Sequence, residues 1–367
     1  MDFSYSQEQD MLQSSVARFL EKTYDFDTRQ ALVSSSEPWS AAVWAQFAEL
    51  GLLALPFAEE QGGLGGSIAD CTAFAQSFGE HLIVEPYVSA IMLAGGALAA
   101  SENPAAREWI GKLASGEAIV AFAYEEGSGT GSPAQIAMEA AADGDGVTLT
   151  GEKHHVIAGA QAEAWVVAAC SSATGKLGCY LVDPASDGIT AAQYTTIDGR
   201  SAANIRFDRV SLGKDAILLE DAQEALETVL AHAIIVLAAE AVGAMGALVR
   251  LTSEYAMTRK QFGQPIAMFQ AVAHRLADMK IAHTKALSTL TYTAALANSG
   301  GVRARDISIL KGQIGKLGRT IGEAAIQTHG GLGLTDELSV GHYHKRLIAF
   351  DAGLGDHGFH LRRLGAG

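Results

Sequence analysis

Cysteine is nearly absent: the 367 residues contain only Cys71, Cys170 and Cys179, widely scattered and without CxxC spacing. That excludes a disulfide framework and a thiolate zinc site, and fits a reducing compartment such as the cytoplasm. Basic residues are also scarce, with 26 Lys and Arg against 41 Asp and Glu and a net charge of −15. Such a surface repels phosphate polymers and anionic membranes, so nucleic-acid binding is not expected. The N-terminus is polar from the start, and charge interrupts every apolar run before it reaches the length of a membrane span. Proline, at seven residues, is rare enough to leave long helices unbroken.

What is abundant is apolar surface, 49% of the chain, sufficient for a large core. Ser6 followed by Gln9 makes a capping box, and Leu12, Val16, Phe19 and Leu20 continue at helical spacing. Helical patterns run to about Ser115. From Ala118 the segments shorten into strand-like runs with turn signals such as Asp143-Gly144-Asp145-Gly146, which predicts a small antiparallel β-domain. Long helices resume near Glu220: one containing Glu240 and ending near Arg259, one from Phe269 to Asn298, and one from Ala304 to Thr328. The expected organisation is therefore a helical segment 1–117, a β-segment 118–217 and a helical segment 218–367. Gly312, Gly315, Gly318 and Gly322 share a broad helix face, which predicts tight packing rather than chemistry.

Two segments carry candidate chemistry. Arg259-Lys260-Gln261-Phe262-Gly263 places cations, an amide and an aromatic ring at a helix corner, a set suited to a phosphate and a flat heterocycle. The bland alternative is a solvated helix end with one buried Phe. Gln327-Thr328-His329-Gly330-Gly331-Leu332-Gly333 follows a helix, and its glycines let backbone N–H groups approach a pyrophosphate. It lacks the preceding strand that a dinucleotide fingerprint needs, and a helix C-cap is an equal alternative. The many histidines, among them His154, His155 and His344, show no metal-ligand spacing. In IIVLAAEAVGAMGALV, Ile234 to Val249, Glu240 is the single charge, flanked by small residues that leave room for a ligand or another backbone. A buried carboxylate there must be paired, protonated or in use.

RKQFG-x-PI-x-x-FQ-x-x-x-HRLADM followed by Q-x-HGG-x-G, with PFAEEQGGLGGS (Pro56 to Ser67) upstream, resembles the acyl-CoA dehydrogenase family. AAEAVGAM, TRKQFGQPI and the ending HYHKRLIAFDAGLGDHGFHLRRL are most similar to the small subunit of pimeloyl-CoA dehydrogenase and related paired-subunit bacterial enzymes of dicarboxylate and sterol side-chain breakdown. The resemblance implies an N-terminal helical domain, a β-barrel-like middle domain and a C-terminal four-helix bundle. It implies FAD bound across a subunit interface, with Arg259, Gln261, Phe262, Gln327, Gly330 and Gly331 at its ADP portion. It further implies an acyl-CoA substrate, an electron-transferring flavoprotein as acceptor, and an α2β2 assembly with a homologous large subunit or a homotetramer. The reaction it implies is α,β-desaturation, in which a carboxylate takes the α-proton and the β-hydride passes to the flavin.

For that carboxylate the resemblance implies two candidates. Glu240 lies on a helix that carries the base in some members, although their position falls near Ala233; it can equally form a structural pair or orient substrate or ribityl hydroxyls. Asp356 lies nearest to the Tyr-Glu-Gly-Thr loop of other members, with Asp351 a weaker choice. Against the flavin ring the family's Trp-Ile-Thr is here His155-Val156-Ile157, and Tyr124-Glu125-Glu126 replaces a Val-Thr-Glu-like segment, which implies an altered flavin pocket. A catalytically silent partner that completes another subunit's FAD site is the competing expectation.

Overall fold

The computed structural model describes residues 6–127 and 131–366. Helices come first: α1 (Gln7–Thr23), α2 (Phe26–Val33), α3 (Ala41–Glu49), α4 (Ile68–Glu80), a π-helical stretch Val88–Gly95 running into α5 (Gly96–Ala99), and α6 (Pro104–Ser115). Strands follow: β1 (Val120–Ala123), β2 (Glu139–Asp143), β3 (Gly146–Ile157), β4 (Ala164–Ser171), β5 (Leu177–Val182), β6 (Ile189–Thr195), β7 (Ser201–Leu212) and β8 (Ile217–Leu219). The chain then forms α7 (Gln223–Thr258), a two-residue hairpin of β9 (Lys260–Gln261) and β10 (Gln264–Pro265), α8 (Gln270–Asn298), α9 (Ala304–His329), α10 (Ser339–Ala352) and α11 (His357–Ala366). This is the helix, sheet, helix order read from the sequence.

These elements form two compact units that interleave along the chain: Met1–Ala31, Ile68–Ile83 and Ile234–Gly367 make up one, Leu32–Ser67 and Val84–Ala233 the other. In the first, the Ser6–Gln9 capping box starts α1. Val16 and Leu20 are buried, and Gln9 Nε2 donates to Asp70 Oδ1 of α4 at 2.8 Å. Helix α7 carries a window of mean hydropathy 2.0 that is 72% buried, which makes it a core helix rather than an exposed apolar rod. The α9 glycines pack as expected: a Cβ on Gly318 would press on Met245 and Leu347, and one on Gly322 would overlap the His344 ring.

In the second unit the sheet order is β6-β7-β3-β2-β4-β5-β8, with β1 also on β4. The expectation of a wholly antiparallel sheet is corrected here, because β1 and β2 both pair with β4 in parallel. These two short strands share one edge of β4, at Ala164–Val167 and at Cys170–Ser171, and no hairpin joins either strand to it. The Asp143–Gly146 turn closes the β2–β3 hairpin as the sequence predicts. A register shift between Lys153 and Val156 bulges β3 at His154 and His155, and His155 has φ 53°.

Candidate functional site

At the end of α7 the hairpin turns through Phe262 at φ 51° and Gly263 at φ 83°, the left-handed pair that a two-residue hairpin requires. Glycine adopts this freely, whereas a bulky aromatic residue does so at a cost of about 1–3 kcal/mol. Phe262 is nevertheless 94% exposed, touching Phe269 edge-on with ring centroids 6.1 Å apart. The buried-Phe alternative is therefore excluded. Arg259, Lys260 and Gln261 are exposed beside it. The Arg259 carbonyl accepts from Ile266 N at 2.9 Å, which ties the two ends of the corner together.

The second segment ends α9. Gly330 sits at φ 63°, its N–H donates to Ile326 O as a cap, and nothing lies within 4 Å of where a Cβ on Gly330 or Gly331 would be. The helix-cap reading is thus correct as far as it goes, and it leaves Gln327, Gly330 and Gly331 outside the buried core. Tyr255 and His329 stack at 4.3 Å and 23°, bringing the end of α7 against the end of α9. Between them opens a pocket of about 380 Å³ that includes Leu251, Tyr255, Thr258, His329 and Leu332. One guanidinium, one aromatic face without cover from its own chain and an open diglycine fit the nucleotide side of a dinucleotide cofactor.

The carboxylates are placed differently. Glu240 is 3% exposed, with Oε2 3.6 Å from Arg346 Nη1 of α10. The room left by small residues is taken by the backbone of α4: a Cβ on Gly79 would strike the Glu240 carbonyl, and one on Gly243 would strike the Gln76 carbonyl. Arg346 Nη2 also donates to Ile83 O at 2.8 Å, Arg29 Nε to Leu82 O at 2.9 Å, and the Tyr343 hydroxyl to Glu80 O. Two buried arginines thus meet the negative end of α4, and Glu240 balances one of them.

Asp356 is exposed and caps α11, its Oδ1 accepting from Phe359 N at 2.6 Å. Asp351 is fully buried; it accepts from Arg319 Nε at 2.5 Å, from His357 N at 3.0 Å and from His357 Nδ1 at 2.9 Å. Burial pushes the Asp351 carboxyl up, but the bonds from Arg319 and His357 outweigh it and leave the pKa below its ordinary value. Lys311, buried on α9, donates to the carbonyls of Asp351 and Gly355 at 3.0 and 2.8 Å and fixes the intervening loop. From the sequence, Lys345 and Arg346 read either as substrate-side cations or as surface pairs; Lys345 does pair with Asp336 at 3.1 Å, but Arg346 is buried beside Glu240, and neither its partners nor those of Lys311 are signalled by the residues around them.

In the sheet unit, His155 Nδ1 lies 3.1 Å from the Tyr194 hydroxyl and its N–H bonds Asn204 Oδ1 at 3.2 Å. Tyr124 is buried and stacked on Phe122 at 5.5 Å. Glu126 accepts from Ala137 N, Met138 N and the buried Lys153 ammonium at 2.7, 3.0 and 2.5 Å. Among the described residues no group of three His, Cys, Asp or Glu could hold a metal.

Residues 6–117 match the acyl-CoA dehydrogenase N-terminal domain and residues 203–367 the acyl-CoA dehydrogenase C-terminal domain. The chain belongs to the acyl-CoA dehydrogenase family, FAD-dependent oxidoreductases that desaturate acyl-CoA thioesters at the α,β bond. It is 26% identical over 382 residues to acyl-CoA dehydrogenase FadE27 of Mycobacterium tuberculosis, covering 100% of this chain and 98% of that one. To the bovine mitochondrial short-chain specific acyl-CoA dehydrogenase it is 27% identical over 347 residues, covering 89% and 82%. Its structure is similar to one chain of the ChsE4-ChsE5 complex from M. tuberculosis, with a TM-score of 0.91, 25% identity, and coverage of 100% of this chain and 98% of that chain.

Proposed function

We propose that the chain works as one subunit of a cytoplasmic, heteromeric acyl-CoA dehydrogenase, α2β2 with a homologous large subunit. It lends Arg259, Gln261, Phe262 and the Gln327–Gly331 loop to the ADP portion of an FAD held across the subunit boundary. The observation that carries this reading is Phe262, held in a strained conformation with its ring 94% exposed beside Arg259. A strained, uncovered aromatic residue persists where something outside its own chain uses it. Similarity to a complex of two different chains supports the heteromer. Acyl groups of the dicarboxylate or sterol side-chain type and an electron-transferring flavoprotein as acceptor complete the proposal.

Glu240 and Asp356 both hold structural positions, one against Arg346 and one at the α11 cap. In this reading neither is the proton acceptor, and the partner subunit supplies it. The competing assignment of Glu240 as base has one supporting observation, its burial at 3% exposure on a helix otherwise lined with small apolar residues.

The test is flavin absorbance per polypeptide and native mass, for this chain alone and after co-expression with its homologous partner. An apo chain that becomes a yellow heterotetramer with one flavin per pair supports the shared site. One flavin per chain in a homotetramer overturns it.

A further inference from the structure

We propose that Arg319 and His357, held side by side by the buried Asp351, bind a phosphate group that keeps an ionisable proton, either inorganic phosphate or the 3′-phosphate of coenzyme A. Arg319 Nε and His357 Nδ1 both bond Asp351 Oδ2, at 2.5 and 2.9 Å, while Oδ1 accepts from His357 N at 3.0 Å. The carboxylate is fully buried, whereas the Arg319 and His357 side chains are 40% and 35% exposed. Its charge is balanced by the guanidinium, so it orients both groups without repelling an anion in front of them. The backbone beneath is held as well. A Cβ on Gly315 of α9 would overlap Asp351 Oδ1, so only glycine there admits the carboxylate, and Lys311 fixes the loop through the carbonyls of Asp351 and Gly355.

The groups left facing outward are complementary. Arg319 reaches Asp351 through Nε alone, and among the described residues its two terminal nitrogens have no other partner. They are the fork that meets an oxyanion in two parallel bonds. The bonds to Asp351 hold its carboxyl below the ordinary pKa, and an ionised carboxylate only accepts, so the His357 proton stays on Nδ1 and Nε2 is an acceptor in the neutral ring. A guanidinium fork beside an acceptor selects an anion that brings its own proton. A phosphate group does so, with a second pKa of about 6, and the same bond forms when the ring holds the proton and the phosphate is a dianion. Carboxylate and sulfate ligands carry no such proton at neutral pH. Lys316, exposed one turn before Arg319, and the N-terminus of α11 at His357 add positive potential. The neighbouring Asp356 carboxylate is turned to Phe359 N.

The assembled oligomer, in phosphate-free buffer at pH 7, is treated with diethyl pyrocarbonate, and carbethoxylation of His357 is followed by peptide mass spectrometry. Inorganic phosphate, sulfate, coenzyme A and 3′-dephospho-coenzyme A are compared as protectants. Phosphate should protect at about tenfold lower concentration than sulfate, the effect of one hydrogen bond. Protection by coenzyme A and not by its dephospho form assigns the site to the substrate's phosphate; protection by inorganic phosphate and by neither coenzyme assigns it to free phosphate. Equal protection by phosphate and sulfate means an adventitious ion only and overturns the proposal, as does a lack of protection by both phosphate and coenzyme A. Arg319→Lys keeps a cation on Asp351 and removes the fork, so protection by phosphate should weaken about tenfold. Unchanged protection in that variant, with His357 modified at the wild-type rate when no ligand is present, also overturns it.

Discussion

Glu240 of α7 and Arg346 of α10 face each other at 3.6 Å with both side chains 3% exposed, while Arg346 also holds the carbonyl of Ile83 beyond α4. Removing one partner of such a pair leaves a buried charge, at a cost of about 3–5 kcal/mol. Glu240→Ala should lower stability by that order in chemical denaturation. Glu240→Leu combined with Arg346→Met should recover much of the loss, which a purely catalytic carboxylate would not show. In the oligomer, Glu240→Gln should still permit bleaching of the flavin by substrate; abolished bleaching with full flavin content would make Glu240 the base after all.

The α4–α7 crossing depends on two glycines. Gly79→Ala and Gly243→Ala each force a Cβ into the opposing backbone, which cannot move aside as a side chain could. Each should destabilise by about 3 kcal/mol or more, at the upper end of overpacking effects. Thermal unfolding of the two single variants measures it, and an unchanged midpoint in either would contradict the crossing.

His360 makes stability fall in acid. It is 1% exposed, its ring nitrogens lie 3.2 Å from Ser308 Oγ and 3.1 Å from Leu354 O, and burial pushes its pKa down to about 4. The unfolded chain takes up the proton near pH 6.5 and the folded chain only near pH 4. The stabilisation from the neutral ring is therefore complete above pH 6.5 and is lost as pH falls through the folded value. The loss is about 3 kcal/mol. Denaturation at pH 7 and pH 4 should show this difference in wild type and a smaller one in His360→Gln.

Asp356 should matter to α11 and little to turnover. Asp356→Ala removes the cap on Phe359 N, at about 1 kcal/mol. Turnover of the assembled oligomer should stay within twofold of wild type; a loss of a hundredfold or more would return Asp356 to the reacting centre.

Arg259→Ala and Phe262→Ala should each weaken FAD retention by about tenfold while leaving the isolated chain as stable as wild type, because both side chains are exposed there. Paired equilibrium dialysis and thermal unfolding separate the two effects.

Much of the fold was legible along the chain. The Ser6 capping box, the change from helical periodicity to short strands near Val120 and the long helices after Gln223 are encoded by bonds and spacings within a few residues. The nucleotide corner was legible as residue types, since Arg, Gln and Phe keep their chemistry wherever they stand. Its exposure was not, because whether Phe262 turns inward depends on the two left-handed residues of the hairpin.

The partners of the buried charges were not legible at all. That α4's backbone, and not a ligand, fills the space beside Glu240 follows from where Gly79 and Gly243 meet. Asp351 looked the weaker of the two C-terminal carboxylates, yet it is the buried one, held by Arg319 and His357, while Asp356 faces solvent at a helix start. By itself the sequence determined the order of elements, the family and the residues able to grip a nucleotide, because local hydrogen bonding and side-chain chemistry act over short stretches. Only the tertiary structure decided which charges are spent on holding helices together, because burial and partnership arise when segments far apart in the chain are packed against each other.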